Sequence, residues 1–474
     1  VPTGTRSRSM RTAARVLASA LLSGAAALSA AELPADLRAS IDGKVAEVLK
    51  ESGAPSASLA VVRDGEIVYA KAYGAARLGP PRLAASEGMR YSIGSISKQF
   101  TAAAILLLAE EGKVSLDDRV VRWLPGLTRA KDVTIRQLLS MTSGYQDFWP
   151  QDYVMPSMMK PATAREILDG WARKPLDFEP GSKWQYSNTN YVVAGVIVER
   201  VAGKPLPEFL QERIFTPLHM TSVVDTDQEA LAAGEPMRYL RHALSPPRQA
   251  PKEGRGWMFA AGELAMTAHD LATWDLSLID RRLLRPESYR ALETEVLLTN
   301  GVGTRYGLGV EVALANGRRT LSHGGEVSGF TATNIVYPDQ RAAVAVLVNL
   351  DATGASSQLA SRIATLLFTT ADPAAQAALE QAKAVFRGLQ QGQIDRAPFT
   401  ENAQAYFDAQ TLADFRSSLG PLGPPREFTQ QSQGLRGGMT SRTFQVKFKD
   451  RTLRVSTFTL PDGKLEQYLV AAAE

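Results

Sequence analysis

Strand-like segments stand at two widely separated places in the first three quarters of this 474-residue chain, with a long, mostly helical stretch between them. The early pair is a predicted hairpin over residues 56–73, in which Asp64-Gly65 separates two apolar runs, as is typical of a two-residue turn. Early strands, a helical insertion and late strands together predict one sheet that is closed from both ends of the sequence and covered by helices. The late strands are predicted at residues 309–313, 320–323, 331–337 and 342–348.

Two helices are predicted on either side of the hairpin. Residues 33–52 carry apolar side chains at helical spacing, and residues 95–113 form a second helix that is unusually apolar from Ala102 to Leu108. A helix that is apolar most of the way round belongs in the centre of a protein. The expected fold class is therefore α/β (α+β), with this apolar helix at the centre of the protein.

A second domain is expected beyond Asp372-Pro373. Two helical stretches and four strand-like stretches follow this point, within about 100 residues, which is a common domain size. No catalytic motif occurs in this part of the sequence. The expected division of the chain is a leader at 1–31, a catalytic domain at 32–371 and a small α+β accessory domain at 372–474.

The first 31 residues resemble a bacterial export signal. Met10 is a plausible start, two arginines follow it, residues 16–28 are apolar, and Ser29-Ala30-Ala31 offers the small residues of a cleavage site. The apolar run is too short to cross a bilayer comfortably, which favours a signal peptide over a stable membrane anchor. We therefore expect the protein to be periplasmic or secreted.

The charge and cysteine content exclude several classes of function. The chain has 53 basic and 49 acidic residues, and removing the four arginines of the leader leaves 49 of each. A nearly neutral mature chain gives no indication of a nucleic-acid partner. The chain has no cysteine, which excludes disulfides, thiolate metal sites and a lipid-modified N-terminal cysteine.

Ser95-Ile-Ser-Lys98 is the first of three short motifs that carry chemistry. Residues three positions apart share a helix face, so the Lys98 amine can reach the Ser95 hydroxyl. A helix N-terminus favours negative charge on a serine oxygen and the neutral form of a buried lysine, which can then accept the serine proton. Taken alone, the motif could equally be a capping serine beside a solvated lysine.

The same spacing occurs a second time, in Ser157-Met-Met-Lys160. Pro161 follows directly and disfavours the helical conformation at Lys160. We interpret Ser157 as part of a loop or a helix cap.

Tyr186-Ser-Asn188 is the second motif. A tyrosine beside a lysine can lower the lysine pKa and relay protons to a leaving group. The amide of Asn188 both donates and accepts hydrogen bonds, so it could orient a substrate carbonyl and the lysine. The alternative interpretation is a turn with a core aromatic residue.

His323-Gly-Gly325 is the third motif, at the end of a predicted strand. Glycines would let a substrate backbone lie against the strand edge, and His323 would supply a polar or partly charged group. The backbone N–H groups of Ser95 and Glu326 would form an oxyanion hole. A simple turn at the end of the strand is the alternative. The remaining histidines show no metal-like spacing, and neither a metal nor another cofactor is expected.

In this order the three motifs resemble those of the serine β-lactamase-like hydrolases of the class C type. This family includes D-alanyl-D-alanine carboxypeptidases, D-aminopeptidases and family VIII carboxylesterases. The similarity extends over about residues 35 to 370. The matching stretches are residues 91–101, 134–144, 178–188, 306–309 and 323–330.

The resemblance implies a β-lactamase/transpeptidase-like fold, an antiparallel sheet between helices with a helical lobe. It implies Ser95 as the acylated nucleophile, Lys98 and Tyr186 as the proton-transfer pair, and Asn188 and His323 as substrate-binding residues. The C-terminal segment is similar to an accessory domain of the nuclear transport factor 2 type, a cone of helices against a curved sheet.

Departures from the family pattern bear on the substrate. Dedicated class C β-lactamases generally have Lys-Thr-Gly where this chain has His-Gly-Gly, and a histidine that titrates near neutrality holds a β-lactam carboxylate less firmly. This favours peptidase-like or esterase-like members. His219 and Glu263 stand where the family often has glycine, and both are expected to reshape the cleft walls.

The sequence therefore predicts an exported serine hydrolase that cleaves an ester or amide through an acyl-enzyme on Ser95. Its partner would be a small molecule: an ester, a D-peptide or a β-lactam. The alternatives are a β-lactamase and a penicillin-binding sensor or scaffold with little turnover. The sequence does not distinguish among these acyl substrates and gives no oligomeric state.

Overall fold

The computed structural model describes residues 32–151, 153–315, 317–368 and 373–473, apart from the side chains of 373 and 374. The predicted export signal and Asp372 of the predicted domain boundary lie outside the described residues. The chain forms two compact units, Val1–Leu367 and Phe368–Glu474, so their division falls a few residues before the predicted boundary.

The first unit contains a seven-stranded antiparallel sheet in the order β3-β2-β1-β12-β11-β10-β9. The early strand β1 pairs with the late strand β12, from Ala57 opposite Val348 to Val62 opposite Ala343. The prediction of one sheet closed from both ends of the sequence is therefore confirmed. The strands of this unit are β1 Ser56–Arg63, β2 Glu66–Arg77, β3 Leu83–Ala84, β4 Tyr91–Ser92, β5 Val224–Asp225, β6 Tyr239–Leu240, β7 Arg248–Gln249, β8 Leu264–Met266, β9 Glu311–Ala315, β10 Arg318–Val327, β11 Phe330–Tyr337 and β12 Ala342–Val348.

The hairpin of β1 and β2 turns at Asp64-Gly65, as predicted. Both residues have positive φ, 55° and 82°, which is the conformation that a two-residue turn between twisted strands needs and that Asp-Gly provides. The first strand of the hairpin, β1, lies beside β12 at the middle of the sheet, and every residue of β12 is buried. Helices of the first unit pack against these two apolar strands.

Helices cover the sheet and form a separate lobe between β4 and β9. The most buried is α2, in which every residue from Ser97 to Leu108 is buried. The predicted helix begins two residues later than expected, because Ser95 lies in the 3₁₀ turn Gly94–Ile96 that precedes α2. The helices of this unit are α1 Ala35–Ser52, α2 Ser97–Glu110, α3 Ile135–Leu139, α4 Ala164–Ile167, α5 Asn188–Ala202, α6 Leu206–Leu210, α7 Ala268–Asp280, α8 Pro286–Glu293 and α9 Ala355–Phe368.

One strand runs further than predicted. The sequence places the end of a strand at His323, but β10 continues through both glycines to Val327. The turn comes later, at Ser328-Gly329, where Gly329 has a φ of 80°. Glycine is needed at position 325 inside the strand because an added Cβ there would lie 1.8 Å from the carbonyl oxygen of Ile93.

The second unit packs three helices with a four-stranded antiparallel sheet in the order β13-β14-β15-β16. Its core includes Phe386 of the first helix and Phe444 and Val455 of the sheet, and the Tyr468 hydroxyl donates a hydrogen bond to the carbonyl of Ala382. This is a small α+β domain, as predicted; its similarity to nuclear transport factor 2 stays a prediction. The elements are α10 Pro373–Gln391, α11 Glu401–Tyr406, α12 Ala409–Leu419, β13 Glu427–Arg436, β14 Met439–Lys447, β15 Thr452–Thr459 and β16 Leu465–Ala472.

None of the helices within the described residues is both long and apolar enough to cross a membrane.

A buried polar network ties α2 to the sheet and to α7. Asn334 of β11 accepts a hydrogen bond from the Gln99 amide (3.0 Å) and donates one to Asp275 Oδ1 (2.6 Å). Trp274 Nε1 donates to the Gln99 side-chain oxygen at 2.6 Å. Asp275 is fully buried and burial raises its pKa from 3.8 to about 7. Since Gln99 follows Lys98 directly, this network helps to hold the N-terminal end of α2.

We expect Asp275→Asn to weaken the pH dependence of stability. The raised pKa means that the folded state binds a proton more tightly than the unfolded state, so wild-type stability falls as pH rises from about 4 through about 7. Asparagine has no such proton to lose, so the loss of stability between pH 5 and pH 8 should shrink by the order of a few kcal/mol. Urea unfolding followed by tryptophan fluorescence measures this change, because all six tryptophans lie in the first unit.

An Asp275→Asn variant whose urea midpoint moves with pH as much as that of the wild type would contradict this assignment. Asp280→Asn serves as the control, since Asp280 lies on the same helix but pairs with Arg282 and Arg341 near the surface.

Candidate active site

Ser95 and Lys98 come together at the N-terminal end of α2. The Lys98 amine lies 2.8 Å from Ser95 Oγ and donates a second hydrogen bond, of 2.7 Å, to the carbonyl oxygen of Ala261. The short strand β8 begins three residues after Ala261 and pairs with β4, which ends three residues before Ser95. The pairing of these two strands therefore positions the Ala261 carbonyl over the lysine.

The Lys98 side chain has no exposed surface, and this burial sets its chemistry. Burial lowers the pKa of Lys98 from 10.5 to about 7, against the opposing effects of the Asp147 and Glu263 carboxyls. The neutral amine is therefore much more accessible near pH 7 than it is for an ordinary lysine. A neutral amine at hydrogen-bond distance from a serine hydroxyl is able to accept its proton.

Tyr186 lies above Lys98 and beside Ser95. The Lys98 amine is 5.0 Å from the centre of the Tyr186 ring. Burial raises the pKa of Tyr186, although the nearby Ser95 hydroxyl acts in the opposite direction. The buried Tyr186 hydroxyl forms no hydrogen bond of ordinary geometry with the described residues. It is therefore a protonated hydroxyl that is ready to donate to an incoming group.

His323 is buried, and its imidazole is neutral. Its Nε2 lies 2.9 Å from the Tyr306 hydroxyl and its Nδ1 contacts the carbonyl oxygen of Gly324. Burial and the neighbouring Lys98 lower the pKa of His323 from 6.5 to about 4. Of the polar or partly charged group predicted here, the structure favours the polar, uncharged form, because removal of the ring from water disfavours the imidazolium.

Asn188 begins α5 and contacts a residue that the sequence analysis missed. Its backbone N–H and its side-chain amide donate to Asp147, at 3.0 Å and 3.2 Å from Oδ1. Asp147 is half-buried, and burial raises its pKa. The Asn188 amide thus holds Asp147 near Lys98 rather than contacting Lys98 itself. Asp147 belongs to no spaced motif, so only the three-dimensional fold reveals it.

The backbones of Ser95 and Glu326 meet where β10 crosses the turn before α2. An added Cβ at Gly94 would lie 2.7 Å from the Glu326 nitrogen, and one at Gly325 would lie 3.3 Å from the Ser95 nitrogen. Gly94 has a φ of 52°, which also favours glycine. The two amide groups that the sequence analysis assigned to an oxyanion hole are therefore neighbours in the structure.

A cleft of about 650 Å³ opens above these residues. One wall consists of apolar and aromatic side chains, namely Phe148, Trp149, Pro150, Tyr153, Val154 and Met258. The acidic residues that line it are Asp147, Glu311, Glu326 and Asp351. Ser95, Tyr186, Asn188, His323, Gly325 and Glu326, all predicted site residues, line this one cleft, and Lys98 lies beneath it. This volume suits a small-molecule substrate.

His219 and Glu263, two residues that depart from the family pattern, lie in different parts of the structure. His219 has a φ of 58°, a left-handed conformation that explains why glycine is common at this position. Glu263 is buried directly behind the site, and its Oε1 has no hydrogen-bond partner among the described residues. Burial raises the Glu263 pKa well above 4.5, which favours its neutral form.

The second Ser-x-x-Lys copy is not part of this site. Ser157 lies in the 3₁₀ turn Pro156–Met159, as a loop residue, and does not line the cleft. Over the described part of the chain, no cluster of three or more His, Asp or Glu side chains could hold a metal ion. The groups that the structure brings together at the site are a serine, a lysine, a tyrosine and backbone N–H groups.

Known proteins resemble this chain in sequence and in structure. A penicillin-binding protein of Bacillus subtilis (strain 168) is 28% identical over 321 residues, which are 64% of this chain and 70% of that protein. A D-aminopeptidase of Brucella anthropi is 29% identical over 317 residues, 65% of this chain and 58% of the relative. The match thus leaves a large part of the D-aminopeptidase uncovered.

The solved structure of a D-amino acid amidase from Ochrobactrum anthropi SV3, complexed with D-phenylalanine, matches with a TM-score of 0.63 and 25% identity. The match covers 70% of this chain and 99% of that one. The fold is therefore the β-lactamase/transpeptidase fold with an additional C-terminal sheet domain. The sequence profile of the β-lactamase family matches residues 41–367, which is more than half of the chain and includes every residue of the cleft described above. The chain therefore belongs to the β-lactamase family.

Proposed function

We propose that this protein is a serine hydrolase that cleaves an amide or ester bond through an acyl-enzyme on Ser95. The observation that carries the proposal is the position of the Lys98 amine, 2.8 Å from Ser95 Oγ and wholly buried. Membership of the β-lactamase family and the similarity to a D-aminopeptidase and a D-amino acid amidase support it.

The reaction begins when neutral Lys98 accepts the Ser95 proton and Ser95 Oγ attacks the substrate carbonyl. The N–H groups of Ser95 and Glu326 stabilise the negative oxygen of the tetrahedral intermediate. Tyr186 gives its proton to the leaving group and takes the proton held by Lys98, since its raised pKa makes it a proton donor rather than a base. Water then attacks the acyl-enzyme by the same proton path in reverse, releases the acid product and regenerates Ser95.

The substrate class is proposed from the relatives and from the third motif. A neutral His323 offers no fixed positive charge to a carboxylate, which favours peptidase-like or esterase-like chemistry over a dedicated β-lactamase. D-amino acid amides, D-peptides and simple esters are therefore the substrates to test first. A long-lived adduct with penicillin, without turnover, would instead favour a penicillin-binding sensor.

Export and an accessory role for the second unit are also proposed. The arginines, apolar run and small residues of the first 31 positions support a periplasmic or secreted location. The second unit has its own core, which supports an accessory domain that folds around it.

We expect Ser95→Ala to abolish hydrolysis of an active substrate, because Ser95 provides the one hydroxyl among the described residues that is hydrogen-bonded to the buried Lys98 amine. Ser157→Ala is the matched control, since it removes the serine of the other Ser-x-x-Lys copy and should retain full activity. Hydrolysis assays and the intact mass after incubation with substrate or penicillin measure both effects. Full activity in Ser95→Ala, or an acyl adduct that persists in it, would contradict the proposed function.

The pH profile should report the ionisation of Lys98. With its pKa at about 7, kcat/KM is expected to rise as pH increases through 7 and then to level off, because only the neutral amine accepts the serine proton. His323→Gln should keep this limb, since the pKa of His323 lies at about 4. Lys98→Met should lose about 100-fold or more in acylation rate. A profile that is flat between pH 6 and pH 8 would exclude Lys98 as the base.

Gly325→Ala and Gly324→Ala form a matched pair on β10. A Cβ at Gly325 would lie 1.8 Å from the Ile93 carbonyl oxygen, whereas one at Gly324 meets no atom within 4 Å. We expect Gly325→Ala to push the strand away from Ser95, lowering Tm and slowing acylation by about 100-fold or more through loss of an oxyanion donor. Gly324→Ala should keep the wild-type Tm. Equal Tm values and equal acylation rates for the two variants would refute the close approach as the reason for the glycine.

A further inference from the structure

The leaving group must depart toward the side of the cleft that holds Tyr186 and His323. The proposed oxyanion donors, Ser95 and Glu326, fix the position of the scissile carbonyl. Tyr186 is the proton donor to the leaving group, and its ring lies 6.2 Å from the ring of His323. The leaving group therefore lies near His323, at the end of the glycine motif that is farther from Glu326.

Strand β9 begins at this same place, with Glu311. It pairs with β10 from Ala315 opposite Arg318 to Glu311 opposite Ser322 and goes no further. On that edge, residues 323–327 of β10 have no strand neighbour among the described residues, and they face the turn that carries Ser95. A substrate bound along this free edge of β10 would therefore have Glu311, at the start of β9, as its neighbour.

The Glu311 carboxylate is open to the cleft and only weakly engaged. Its contact with the Ser322 hydroxyl is long, 3.4 Å, and no Lys or Arg in the described part of the chain lies within ion-pair distance of it. Burial is the main cause of the raised pKa values of Tyr186 and Tyr306, and the negative charge of Glu311 adds to it, after that of Asp147 in the case of Tyr186. The charge of Glu311 therefore reaches the position of the leaving group.

The other acidic residues of the cleft are already engaged by backbone donors. Asp147 accepts from the N–H of Asn188, Glu326 from that of Ala352 (2.6 Å), and Asp351 from that of Gly329 (2.9 Å). No Lys or Arg is among the described first-unit residues that line the cleft, and His323 is neutral. On the leaving-group side, Glu311 is therefore the acidic side chain of the cleft that has no backbone N–H donor among the described residues.

We infer that Glu311 is a specificity-determining residue, which makes the site accept a leaving group with a positive charge and reject one with a carboxylate. The inference rests on the proposed function and refines its substrate class. A cationic amine or alcohol leaving group would gain a charge-assisted hydrogen bond or close ion contact with Glu311. The free carboxylate of a C-terminal amino acid, or that of a β-lactam, would be repelled.

Three thioesters with one acyl group test this inference. Butyrylthiocholine has a cationic leaving group, 3,3-dimethylbutyl thiobutyrate is its neutral isostere, and S-butyryl-3-mercaptopropionate is anionic. In each case Ser95 Oγ forms the acyl bond, the C–S bond breaks, and the thiol leaves with the Tyr186 proton. A thiol-reactive dye follows the release at pH 8, and the chain contributes no background because it has no cysteine.

Wild-type kcat/KM should be higher for the cationic than for the anionic thioester by about ten- to hundredfold, since opposite and like charges several ångströms apart differ by this much at intermediate dielectric. Glu311→Gln should reduce that ratio by about tenfold or more, mainly through KM, and leave the neutral thioester within about threefold of wild type. Glu66→Gln is the control, because Glu66 is an exposed residue of β2 in the same sheet. It should keep the wild-type ratio.

An unchanged ratio in Glu311→Gln, a parallel loss on all three thioesters, or a wild-type preference for the anionic one would overturn the inference. So would a wild type that hydrolyses none of the three but cleaves p-nitrophenyl butyrate through Ser95, and in that case the proposed function would stand. If Ser95 is acylated by no ester, amide or penicillin, the proposed function itself fails, and the inference fails with it.

Discussion

The site depends on keeping one amine out of water. Lys98 has no exposed surface, and moving its pKa from 10.5 to about 7 corresponds to several kcal/mol of lost stability for its charged form. This cost is a large part of the net stability of about 5–15 kcal/mol that is typical of a folded domain. Lys98 is kept out of water because α2 is buried between the sheet and the helical lobe. The all-apolar sequence of α2 from Ala102 to Leu108 is thus a requirement of the chemistry as well as of the core.

A second constraint is the close approach of β10 to the turn before α2. The sheet closes by pairing β1 with β12, so a strand coded late in the sequence comes to lie beside the serine coded early. The two backbones meet where Gly94 and Gly325 leave out side chains, and no other residue type fits at either position without displacing the strand. Gly94 and Gly325 are therefore required because a side chain at either position would collide with the opposite backbone. This is the reason that the strand does not stop at His323.

The features that the sequence predicts correctly are those that depend on residues close together in the chain. Asp64-Gly65 identifies the hairpin because its turn requires two positive φ values, and the uninterrupted apolar run of β12 gives its bounds correctly. The three motifs identify the serine, lysine, tyrosine and histidine because each has a fixed spacing. The continuation of β10 through Gly-Gly was missed, since glycine favours turns unless a distant backbone, here that of Ile93, occupies the space of a side chain. Asp147 was missed because only the fold brings it to Asn188.

The protonation state of each ionisable group at this site depends on how deeply the group is buried. The same loss of water that favours the neutral form of Lys98 also raises the pKa of Asp147 and of Glu263, the two acids that would otherwise hold a proton on the lysine. Because burial favours the neutral forms of Asp147 and Glu263, these two acids stabilise a charged Lys98 less than two ionised carboxylates would. Partial burial also raises the pKa of Glu311, but this side chain is exposed at the cleft surface. The two functions thus lie at different depths. Lys98 acts as a neutral base in the buried part of the site, and the charge of Glu311 at the cleft surface selects the leaving group.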